Sequence, residues 1–92
     1  MNTETVARDI GEALIHLQDL VADFRSGKIQ TRDEPTVAVQ LGHVLDHICL
    51  AWNCKDMAPE QRAKVSQEEH ERLSNTVPNF CGGRVLGEFA LA

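Results

Sequence analysis

The chain has 92 residues, 42% of them apolar and 25% charged, a balance that fits one folded domain (1–92) and argues against wholesale disorder. Its net charge of -5, with only nine scattered Lys and Arg, argues against nucleic acid and anionic membrane surfaces as main partners, because phosphates need clustered cations. No stretch approaches the ~20 consecutive apolar residues of a membrane span, and MNTETVARDI has neither the basic leader nor the apolar run of a signal peptide, so a cytoplasmic protein is expected.

The first predicted element covers residues 4–25. Val6, Ile10, Ala13, Leu14, Leu17, Leu20, Val21 and Phe24 recur every three or four residues, which places them on one face of a helix. Asn2, Thr3 and Thr5 are candidate caps, and Glu4 suits the positive end of the helix dipole. Ser26-Gly27 stops the helix, because Gly accepts the left-handed turn. A short polar connector around Ile29 follows, of a length that joins antiparallel neighbours.

The second element, 34–53, is the spine on which the rest is expected to pack. Val37, Leu41, Val44, Leu45, Ile48 and Trp52 fall within roughly 100° of helical arc. Asp33, Glu34 and Pro35 supply an acidic cap, a first-turn carboxylate and a pre-set φ. The hairpin should bring Leu41, Val44, Ile48 and Trp52 against Leu14, Leu17, Val21 and Phe24.

Pro59 opens a short helix to about Val65, and Ser66-Gln67-Glu68-Glu69 reads as a capping box before a further helix to about Asn75. Cys81-Gly82-Gly83 is a turn signal, and Gly87 disfavours a helix in the apolar stretch after it. An extended segment lying across the helices is expected there, with Val85 and Phe89 buried within the chain or against a second one. The fold class is therefore all-α: an antiparallel hairpin, two short helices and an extended C-terminal segment.

The chemistry concentrates on the two long helices. His43 and His47 are four apart, so they share a face and can reach one metal ion, but no Glu follows His43 to complete a metalloprotease H-E-x-x-H. Cys54 lies about 10.5 Å further along the axis, too far to join bonds of about 2 Å. On the first helix Asp9, Glu12, His16, Asp19 and Asp23 step by three or four into one column, expected to be a solvated acidic face, a docking surface for a basic partner, or carboxylate and His ligands for a metal. His16-Leu17-Gln18-Asp19 echoes His43-Val44-Leu45-Asp46.

In an antiparallel hairpin His16 stands level with position 44. His16 and His47 leave the apolar stripe in the same rotational sense, which puts them on one side of the seam, with Asp19 near His43. The candidate metal ligands are thus His16, Asp19, His43 and His47. Imidazoles with one carboxylate suit Zn, Fe, Ni or Cu better than Mg or Ca.

Three cysteines, two of them about 140° apart on a helix, suggest reduced thiols. Cys81 beside two glycines is a weak candidate nucleophile. No Walker loop, dinucleotide fingerprint, nucleophile elbow or CxxC is present, so no catalytic residue can be assigned. Two functions are expected: a helical protein–protein interaction module acting as a homodimer, or a transition-metal-binding helical protein, enzymatic or not, built on the hairpin histidines.

Overall fold

A computed structural model describes residues 1–80 of the chain. Those residues form four helices and no strand: α1 (Thr3–Arg25), α2 (Glu34–Asn53), α3 (Pro59–Ala63) and α4 (Gln67–Ser74). The expected extended segment, with Val85, Phe89 and Cys81, lies outside the described residues. No helix among the described residues is long and apolar enough to cross a membrane.

The helix ends follow local chemistry. Asn2 caps α1, its side chain accepting from the Thr5 amide at 3.1 Å. Gly27 at φ 79° takes the left-handed turn that closes it. Pro35 starts α2 where its missing N–H costs nothing. Asp33 does not cap α2 with its side chain; its carboxylate accepts from the Gln30 amide at 2.9 Å, closing a single 3-10 turn (Thr31–Asp33) ahead of the helix. At α4 only half of the capping box forms. The Ser66 hydroxyl accepts from the Glu69 amide at 3.2 Å, while the Glu69 carboxylate is held by Arg72 at 2.7 and 3.2 Å.

α1 and α2 make the expected hairpin, but they meet along a different line. Thr5, Asp9, Ala13 and Leu20 of α1 are buried, as are Val44, Cys49, Leu50 and Ala51 of α2. Of the residues expected across the seam, Val44 is buried and Ile48 half-buried, whereas Leu14, Leu17, Val21, Phe24, Leu41 and Trp52 are exposed. At 100° per residue the buried line on α1 is turned roughly 70° from the centre of the apolar stripe, at whose edge Ala13 and Leu20 lie.

Polar partners after α2 explain the turn. Thr5, 1% exposed, donates from Oγ1 to the Met57 carbonyl at 2.8 Å. Asp9 receives both Nε and Nη2 of Arg62 at 3.1 and 3.0 Å. These bonds draw the Thr5–Asp9 side of α1 inward, and small Ala13 and Ala51 let the helices approach. Asp9 is therefore not part of a solvated acidic column: its carboxylate is inside, paired with α3.

The α4 end of the molecule closes over Leu50, Cys54 and Leu73, with Met57 and Val65 packed against them. Asn53 fastens it, its Nδ2 donating to the carbonyls of Leu73 at 2.7 Å and Thr76 at 2.8 Å. Leu73 lies in the last turn of α4 and Thr76 just beyond it, where carbonyls lack helical partners of their own. Val77, beyond α4, is exposed.

Candidate metal centre

Three imidazoles converge at mid-height of the hairpin, one from α1 and two from α2. His16 belongs to the same row as Asp9, Ala13 and Leu20, so it points at α2 rather than at solvent. His43 and His47 are one turn apart on α2 and bracket it. The His16 and His47 rings stack with centroids 5.0 Å apart, and His43 meets both edge-on at 4.3 and 4.9 Å.

One ligand nitrogen from each histidine lies within 4.8 Å of the others. The Nε2 atoms of His16 and His43 are 3.1 Å apart. Two nitrogens bound tetrahedrally at about 2.05 Å would be about 3.3 Å apart. The 3.1 Å contact is a hydrogen bond between the two rings whose length is close to such an edge, and His47 would need a shift of about an ångström and a half to stand at the same spacing. The His47 Nδ1 is buried and has no hydrogen-bond partner, in contrast to the rule that buried polar atoms are satisfied.

The electrostatics favour ligand-ready imidazole. Burial pushes the His47 pKa below its ordinary value, and neighbouring His43 and His16 push it the same way; Glu12 and Asp9 pull back against them. A neutral ring is the form that binds metal. A polar cavity of about 200 Å³ adjoins His47, with Arg8, Glu12 and the Asp9–Arg62 pair in its wall. Three protein nitrogens leave a fourth coordination position for water or another small ligand.

Asp19 is exposed and is not among the converging groups. Cys49 and Cys54 are free and buried, and burial raises both thiols' pKa, so neither presents a reactive thiolate. The Asp9–Arg62 pair and the cavity were not anticipated from sequence; their one signal was an Arg inside a short helix three positions beyond Pro59. No family model, curated protein or solved structure matches the chain.

Proposed function

We propose that the chain is a transition-metal-binding helical protein in which His16, His43 and His47 hold one ion across the α1–α2 seam. The observation that carries this reading is the convergence of three imidazole nitrogens within 4.8 Å, contributed by two helices. Nitrogen donors without thiolate favour Zn, Cu, Ni or Fe over Mg or Ca. The open fourth position suits binding or activation of a small ligand rather than a closed structural site.

Metal content of the purified protein, with Zn²⁺ titration of the chelator-treated form, tests it. One ion per chain is expected, with loss of binding in His43→Ala and in His47→Ala while helicity persists. A native protein that neither retains nor takes up any of these metals at micromolar concentration overturns the reading.

A second reading, a helical protein–protein interaction module acting as a homodimer, draws support from the apolar residues that the hairpin leaves uncovered. Free buried thiols support a reducing compartment such as the cytoplasm. The two readings use different edges of the hairpin and are compatible.

A further inference from the structure

Only eight apolar residues are buried among the described residues, whereas thirteen large ones are exposed. Ile15 and Val39 stand on the other side of the hairpin and Val77 follows α4, but most of the others gather in two rows. On α1, Ile10, Leu14 and Val21 are 45–52% exposed; on α2, Leu41, Leu45 and Trp52 are 43–49% exposed. Both rows are displaced from the α1–α2 contact line in the same rotational sense, and in an antiparallel pair that brings them to one side. Met1, Val6 and Ile10 share a groove there with Ile48, Ala51 and Trp52, so the rows are continuous across the seam, and Phe80 packs edge-on against Trp52 at 5.5 Å at the end of that groove.

We infer that this side is covered by a second copy of the chain, two hairpins packing face to face into a four-helix core. The inference rests on the homodimer reading and deepens it by naming the face through which the copies pair, and it is independent of the metal.

Area is the first argument. The six side chains named leave roughly 500 Å² in water, at the upper end of the largest patch on a typical monomer, before Leu17 and Phe24 are added. A standard interface needs about 800 Å² per partner. The face supplies most of that.

Charge is the second argument. Neither helix places an Asp, Glu, Lys or Arg between the two rows; cations stand at their margins, Arg25 beside Leu14 and Val21 and the Lys55 Nζ 4.8 Å from the centroid of the Trp52 ring. Two copies that each carry -5 repel wherever their acids face each other, so a stretch without acids is where they can meet. A basic partner would find its complement on the other edge, at Glu12, Asp19 and Asp23. Hairpin pairs of this kind form isologous interfaces, in which each copy offers the same patch.

The histidines stay outside the interface. On α2 they are turned roughly 120–180° from Leu41 and Trp52, so pairing leaves them at the opposite edge.

Sedimentation of the full chain over a concentration series, with Leu14→Glu and Leu41→Glu variants, decides the matter. Both positions are about half exposed, so the variants keep the fold of a single hairpin, checked by far-ultraviolet circular dichroism. The wild type should have about twice the single-chain mass of 10.2 kDa, and each variant should fall to one chain with helicity retained. The inference is overturned if the wild type is a single chain at hundreds of micromolar, whether or not residues 81–92 then prove to cover the face. It is equally overturned if a dimer persists in both variants. His47→Ala should leave the mass unchanged, so loss of metal and loss of pairing are read separately.

Discussion

Replacing Arg62 by Ala strands a charge inside the protein. The Asp9 side chain is 6% exposed and that of Arg62 17%, and both Asp9 oxygens are engaged by the guanidinium. Without Arg62 the carboxylate keeps its burial and loses both bonds, a situation that costs about 3–5 kcal/mol. For a chain of this size each kcal/mol lowers Tm by about 4–8 °C, so a drop of at least 12 °C is expected. Urea unfolding gives the free energy directly, provided the slope with denaturant is unchanged.

Two further variants isolate the cause. Arg72→Ala removes the other guanidinium–carboxylate pair, whose side chains are 63% and 50% exposed, and should cost less than about 1 kcal/mol. Asp9→Leu combined with Arg62→Met removes both charges and should recover most of the loss, because the penalty is an unpaired charge rather than a missing attraction. If Arg62→Ala costs no more than Arg72→Ala, the Asp9 carboxylate reaches water easily and the reasoning fails.

Two other outcomes are expected. Burial lowers the His47 pKa, so the unfolded chain takes up that proton first; its stabilising contribution is complete above the unfolded value of about 6.5 and is lost as pH falls through it towards the folded value. Urea midpoints of metal-free protein between pH 8 and 5 should show this slope, and His47→Gln should flatten it; identical slopes would contradict the assignment. Thr5→Val keeps the shape of the side chain but leaves the Met57 carbonyl without its donor, which should cost about 1–3 kcal/mol in the same urea assay.

The helices were legible because their ends are written in local chemistry. Asn2, Gly27, Pro35, Pro59 and Ser66 each favour one backbone state whatever surrounds them, and the spans expected from them agree with the structure to within a residue or two. The meeting of three histidines was legible for a related reason: spacing of four, and a level match across an antiparallel turn, are consequences of helix geometry alone.

The contact line was not legible. The apolar surface of α1 extends well beyond one stripe, and periodicity gives its centre without saying which part of it α2 occupies. The deciding interactions come from residues 57 and 62, which fold back on Thr5 and Asp9 from the far side of α2. Periodicity also assigns every acid to solvent, so Asp9 read as one more member of an exposed column. Asp19 stays outside the cluster because it stands about 60° further round α1 than His16, away from the seam, and is exposed.

The Asn53 fastening gives the molecule an internal clock. An eight-residue helix does not persist alone in water, so α4 holds its shape only while docked. Its docking rests on two amide hydrogen bonds and on Leu73 lying against Leu50 and Cys54. Whenever α4 lifts away, the Cys54 sulfur, otherwise sealed, meets solvent. In a chain carrying Cys81→Ser, the rate at which a thiol reagent labels Cys54 therefore times the lifting of that one helix, with the long hairpin still intact.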